Sequence, residues 1–348
     1  MKRLMAAALC AALPLAAGVA MAQQGAQVPQ IGIQGDGVSA PTSGFPLAPA
    51  AGVDSGAVSR APAGASNTGR FNSNTWKYGP RFDAPANSPL WNPVMIKLSS
   101  GQQVFSATVS GNATPEQYCT QAANPAYDFI WTEMQHSPGT WSTVAAMWNA
   151  CPGTATLSPG SKSHAVPGAR VSVGTEMEIQ HATDMGAMIV IVPTVDTAAE
   201  AAEASKWTYF PPIGRRSSGS NVAGSAAWWQ AVPGGYRQTY NRNMVLVAMI
   251  ETLEGLANVD GIAKAGVTGI FAASGDLGNF TGYAQGDPDY ERVINIVHDS
   301  ALRTKVKLFG PSAWAARPDF NGFQGGPPSA NAGRGRGGRG ARGAAPAQ

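Results

Sequence analysis

About seven times between residues 103 and 309, a short apolar run gives way to a stretch of helical periodicity. That alternation restricts the chain to an α/β fold built on a parallel sheet with crossover helices. The apolar runs fall at residues 103–109, 127–131, 165–171, 187–193, 243–250, 269–273 and 306–309. Parallel strands are covered on both faces, so they read as near-continuous hydrophobic runs rather than as alternating ones. Met244-Val245-Leu246-Val247-Ala248-Met249-Ile250 is the clearest case. Thr114-Pro115-Glu116 opens the first helix after a strand, with a capping residue, proline at the first position and an early acid. Further helices are expected at 139–150, 176–185, 197–206, after Thr252, and at 289–302. This many short strands and crossover helices predicts a TIM (β/α)8-type barrel. No GxGxxG turn follows the first strand, which removes the main argument for a dinucleotide fold. After Gly310-Pro311-Ser312 there is no eighth apolar strand and no closing helix, so the barrel is expected to lack both.

The ends differ from the middle. Lys2-Arg3, an apolar run over residues 4–20 and Ala20-Met21-Ala22 before Gln23 predict a secretory signal over residues 1–22. The expected destination is periplasmic or secreted. No lasting membrane anchor is expected, because no other stretch is long and apolar enough to span a bilayer. Residues 23–89 are rich in Gly, Ala, Ser and Pro and predict a disordered lead-in, in which only Trp76-Lys77-Tyr78 and Leu90-Trp91 look able to dock. The barrel domain is expected over 90–324, followed by a disordered Gly/Arg-rich tail over 325–348. Of the 348 residues 44% are hydrophobic, enough for one large core once the ends are set aside. Removing Lys2, Arg3 and the four tail arginines from the formal charge of +3 leaves −3. A slightly acidic body argues against nucleic-acid binding. Cys10 leaves with the signal, and Cys119 and Cys151 near the ends of neighbouring helices are permitted a disulfide in an oxidising compartment.

On a barrel, chemistry sits at the C-terminal ends of the strands. Those ends supply Glu133 and His136 after the second strand, Arg170 at the third, Glu251 at the fifth and Asp276 at the sixth. Two carboxylates without Cys or His are hard oxygen ligands, which suits Mg2+ or Mn2+ with water and substrate completing the shell. Such a cation polarises a carbonyl. Arg170 is positioned to stabilise developing negative charge, and His136 is the neutral-pH base near the mouth. The long Gly/Ser/Pro segment 209–235 reads as a functional loop or lid, and Arg215 and Arg216 at its start suggest an anionic ligand nearby.

From Trp91 to about Gln324 the chain resembles the HpcH/HpaI aldolase and citrate lyase family, the class II metal-dependent 2-keto-3-deoxy acid aldolases. The resemblance is carried by Asp128-Phe129-Ile130-Trp131-Thr132-Glu133-Met134-Gln135-His136-Ser137-Pro138, by Arg170 ending a strand, and by Asp184-Met185-Gly186-Ala187 leading into Val190-Ile191-Val192-Pro193. Tyr209-Phe210-Pro211-Pro212-Ile213-Gly214-Arg215-Arg216, Ile250-Glu251-Thr252 and Ser274-Gly275-Asp276-Leu277 complete it. It implies a barrel of the phosphoenolpyruvate/pyruvate class and a lyase that cleaves a 4-hydroxy-2-keto acid to pyruvate and an aldehyde. It implies Glu251 and Asp276 as metal ligands, the amides around Gly275 and Asp276 as the seat of the substrate carboxylate, and Arg170 on the keto oxygen. His136 would be the acid/base, oriented by Asp184 from a neighbouring subunit in a homo-oligomer. Gln135 stands where the family commonly has Glu, and Met249 where a Gln often precedes the metal Glu. The alternative is a non-catalytic exported descendant that binds a keto acid or a partner through the same mouth. A lyase of the citramalyl- or malyl-CoA type is opposed by the lack of a basic site for the CoA diphosphate.

Overall fold

The structure is a computed structural model that describes residues 88–153, 157, 162–219, 229 and 231–328. The signal, almost all of the lead-in and nearly all of the tail predicted above lie outside the described residues.

Eight parallel strands close into a barrel in chain order: β1 (Val104–Ser110), β2 (Phe129–Glu133), β3 (Val166–Arg170), β4 (Ile189–Val192), β5 (Val245–Ile250), β6 (Gly269–Ala272), β7 (Lys307–Pro311) and β8 (Phe320–Gln324). The helices are α1 (Pro93–Ser99), α2 (Pro115–Ala122), α3 (Trp141–Ala150), α4 (Glu176–Asp184), α5 (Ala198–Thr208), α6 (Tyr236–Asn243), α7 (Leu253–Ala257), α8 (Val259–Ala263), α9 (Ser274–Thr281) and α10 (Pro288–Thr304). Three of these helices, α2, α3 and α5, start with reciprocal capping boxes at Thr114, Thr140 and Thr197, which satisfy two orphan amide donors each. The expected TIM-type barrel is thus present, and the helix expected after Thr252 is two short ones.

The expectation of a missing eighth strand is corrected. β8 pairs with β7 on one side (Leu308 with Phe320) and with β1 on the other (Val104 with Gly322, Phe105 with Phe323), closing the barrel. Its sequence, Phe-Asn-Gly-Phe-Gln, hides it: one of its inward positions is a glycine. A Cβ on Gly322 would run into the Phe309 ring, so the neighbouring strand's phenylalanine fills the space that a side chain on β8 would otherwise take. Phe320 and Phe323 are buried, and Phe323 stacks on Phe105 with ring centroids 5.0 Å apart. Ser106 Oγ donates to the Phe323 carbonyl at 3.0 Å, and Gln103 Nε2 donates to those of Ala315 and Phe320 at 3.0 and 3.2 Å. At the entrance to β8, His298 of α10 lies 3.1 Å from Asp319. A closing helix after β8, expected to be absent, would fall largely outside the described residues.

The N-terminal end of the barrel is plugged by α1, whose Val94, Met95 and Leu98 are buried against the strand interior. Burying each such side chain contributes about 1.5–3 kcal/mol. Buried amides fix the plug: Asn92 Nδ2 donates to the carbonyls of Met188 (2.9 Å) and Asn243 (2.7 Å), just before β4 and β5. Trp91, which reads as able to dock, does so through its backbone N–H to Asn243 Oδ1 at 2.6 Å and its indole N–H to Thr239 Oγ1 at 2.7 Å. Cys119 in α2 and Cys151 at the end of α3 form a disulfide, Cα atoms 5.6 Å apart, tying two neighbouring outer helices together.

Candidate active site

With the N-terminal end plugged, the candidate residues stand at the opposite rim, where the strands end. β2 and β3 run in register so that Glu133 and Arg170, the last residues of each, are direct partners. Cross-strand adjacency therefore makes their ion pair: Arg170 Nη2 lies 2.5 Å from Glu133 Oε2 with both side chains almost fully buried. Trp131, one turn of the pleat below, donates its indole N–H to the same Oε2 at 3.3 Å and lies under the guanidinium, 5.8 Å from ring centroid to Cζ. Glu133 Oε1 accepts the backbone N–H groups of Gln135 (2.9 Å) and His136 (3.0 Å). One carboxylate thus fixes both the arginine and the loop that carries the histidine. His136 is exposed on that loop, and Arg170 Nε is buried without an acceptor among the described residues. The ion pair to Glu133 leaves that donor over for an incoming oxygen anion.

Glu251 follows β5 directly and is buried. Its carboxyl is raised above the ordinary value, first by desolvation and further by the charge of Asp276, while hydrogen bonds from Thr194 and the charge of Arg170 oppose the rise. β5 and β6 are paired neighbours with Ile250 opposite Ala272, so Glu251 and Asp276, the latter in the first turn of α9, leave adjacent strand ends. A desolvated acid beside a second acid is an arrangement that favours a bound cation. Both described hydrogen bonds to Glu251, from Thr194 N–H (2.5 Å) and Oγ1 (2.8 Å), fall on Oε2, so Oε1 carries none. Asp276 has no hydrogen bond or ion pair among the described residues. At Gly275 a Cβ would meet open space, leaving the backbone at the α9 N-terminus accessible to an anion. No group of three or more His, Cys, Asp or Glu side chains gathers among the described residues. Two oxygen ligands with the rest of the shell left to water and substrate fit Mg2+ or Mn2+ and would suit few softer metals.

Two expectations change. Segment 209–235 connects α5 to α6 and β5, so its described part belongs to the plugged end, not to a lid over the mouth. Arg216 is fully buried there among Phe210, Trp229, Tyr236 and Tyr240, with Cζ 4.5–5.6 Å from their centroids, and it pairs with Asp184 at 2.8 Å. Its cation holds the fold rather than a ligand at the mouth. Asp184 itself ends α4, which runs back to the same plugged end, so a single chain does not bring it to His136. Glu133 was named at its strand end without its role as an anchor, and Thr194, the partner of Glu251, was not singled out by the sequence; a motif shows a residue's type, but these roles depend on contacts across strands.

The chain has relatives. The family profile for HpcH/HpaI aldolase/citrate lyase matches residues 111–308. The 2-keto-3-deoxy-L-rhamnonate aldolase of Shigella boydii serotype 4 is 28% identical over 239 residues, covering 67% of this chain and 83% of that protein. The protein of the same name from Klebsiella pneumoniae is 30% identical over 211 residues, covering 60% of this chain and 74% of that one. The barrel superposes on an HpcH/HpaI aldolase/citrate lyase family protein from Burkholderia cenocepacia J2315 with a TM-score of 0.54 at 22% identity, covering 64% of this chain and 88% of that one. An HpcH/HpaI aldolase from Desulfitobacterium hafniense DCB-2 gives 0.54 at 20% identity, covering 66% and 89%. With profile, relatives and barrel in agreement, the chain belongs to the HpcH/HpaI aldolase/citrate lyase family, a family of carbon–carbon lyases.

Proposed function

We propose that the protein is a metal-dependent aldolase that cleaves a 4-hydroxy-2-keto acid, of the 2-keto-3-deoxy sugar-acid class, into pyruvate and an aldehyde. The observation that carries this reading is that Glu251 and Asp276 leave the ends of paired neighbouring strands, β5 and β6, on the rim where Glu133 holds Arg170. Glu251 and Asp276 would hold a divalent cation, which when bound would supply the positive charge that polarises the 2-keto group. Arg170, immobilised by Glu133 and Trp131, directs its remaining donors at the keto oxygen as that atom gains negative charge. The amides at Gly275 and Asp276 receive the substrate carboxylate. His136 takes the proton from the C4 hydroxyl, the C3–C4 bond breaks to leave the aldehyde, and its electron pair stays on C3, which a proton then converts to the methyl group of pyruvate. In this reading Asp184, held by Arg216 at the plugged end, orients His136 of a neighbouring subunit in a homo-oligomer.

The test is pyruvate release by the purified protein from a panel of 2-keto-3-deoxy acids with Mg2+ or Mn2+. The expected result is turnover of at least one member that EDTA abolishes; no pyruvate from any member, or turnover indifferent to EDTA, refutes the reading. The non-catalytic alternative drew on a barrel without its eighth strand and on the departures at Gln135 and Met249; β8 removes the first of these supports.

We further propose that the enzyme works outside the reducing cytoplasm. The N-terminal signal pattern and the Cys119–Cys151 bridge both support this. Mature protein recovered from the periplasm or medium should begin at Gln23; uncleaved protein confined to the cytoplasm would contradict export.

A further inference from the structure

The turn after β4 is built toward Glu251 in a way the reaction scheme does not use. Thr194 has φ 47°, and it is the one β-branched residue among the three non-glycine residues with positive φ in the described structure. A branched side chain in the left-handed region is strained, and such strain persists where the surroundings over-determine it. The surroundings do so here. Val195 N–H donates to the Met249 carbonyl at 3.2 Å, Asn258 Nδ2 to the Asp196 carbonyl at 2.8 Å, and the Thr252 hydroxyl to the Asp196 carboxylate. These bonds stitch the β4 turn to the end of β5. Their product is the two-donor grip of Thr194 on Glu251 Oε2. Met249, two residues before Glu251, takes part through its carbonyl alone, since its buried thioether has no proton to donate to the carboxylate.

We propose that Thr194 is the positioning residue of the metal site. By holding Oε2 with both its amide and its hydroxyl, it fixes the rotation of the Glu251 carboxylate and reserves Oε1 for the cation. The proposal rests on the reading that Glu251 and Asp276 hold a divalent ion. The experiment is a Mn2+ titration of the full chain without substrate, followed by the electron paramagnetic resonance signal of free Mn2+, with Tm of the metal-free protein measured alongside. Thr194→Val keeps shape and amide but deletes the hydroxyl, and it should weaken Mn2+ binding about 10–100-fold at a nearly unchanged metal-free Tm. Thr194→Ser should restore binding to within about threefold of wild type, which a purely structural role for the side chain would not require. Should the valine variant fail to fold, Thr194→Gly, at ease at this φ, serves in its place and should weaken binding likewise. Binding by the hydroxyl-free variants as tight as that of wild type overturns the proposal. A wild-type chain that binds no Mn2+ sinks the cation reading itself, and the proposal with it.

Discussion

Glu251→Gln is expected to lower metal-dependent pyruvate release about 1000-fold, equivalent to about 4 kcal/mol, because it removes the one buried anionic ligand while leaving the shape of the site intact. The amide oxygen can still accept both bonds from Thr194, so the β4 turn should hold. Stability should move the other way from activity. The folded-state pKa of Glu251 is raised, chiefly by desolvation, so its contribution to stability is favourable in acid and is lost as pH rises through that folded value. At neutral pH in the absence of metal, the desolvated carboxyl therefore works against folding, and Glu251→Gln should have a Tm equal to or above that of wild type. Activity lost together with a large fall in Tm would mean that Glu251 is a structural acid, and undiminished turnover would remove it from the site.

Glu133→Ala should be the most damaging substitution at the mouth for the fold as well as for turnover. It leaves the Arg170 guanidinium buried without its counter-charge, which typically costs about 3–5 kcal/mol. It also frees the Gln135 and His136 amides that share the same carboxylate. A double-mutant cycle with Arg170→Ala separates these effects. The double variant should be less destabilised than the two single losses combined, by roughly 1–3 kcal/mol, because it leaves no orphaned charge. Unfolding in urea measures this directly. A Glu133→Ala chain within about 1 kcal/mol of wild type would mean that the buried pair contributes little and that Arg170 is held by Trp131 alone.

The seven apolar runs of the sequence became seven of the eight strands, because a parallel strand buried on both faces must be hydrophobic along its length. β8 escaped because its burial depends on Gly322 accepting the ring of Phe309, a contact between strands that no periodicity encodes. The helix α6 escaped for a related reason: Tyr-Arg-Gln-Thr-Tyr-Asn-Arg-Asn has no apolar stripe, and its buried Thr239 and Asn243 spend their polar groups on Trp91, Asn92 and the α1 plug. In α9, two glycines mask an eight-residue helix. The site was legible to the extent that strand ends name their occupants, and Glu251, Asp276, Arg170 and His136 all fall on the rim where the strands end. The direction of the connections was harder to read. Segment 209–235 has lid-like composition, yet its described residues follow the end of α5 and lead through α6 into β5, which assigns them to the plugged end.

In the proposed reaction Glu251 and Asp276 jointly hold a divalent cation on which a 2-keto acid is seated. Thermal unfolding of the purified protein with Mn2+, with oxalate as a pyruvate-like anion, and with both together tests it most directly, since a ligand that binds only the folded state raises Tm by mass action. The expected result is a rise with Mn2+, a further rise when oxalate is added to Mn2+, none with oxalate alone, and none of these in Glu251→Gln. Equal shifts with oxalate in the presence and absence of metal, or no shift with the two together, would contradict it.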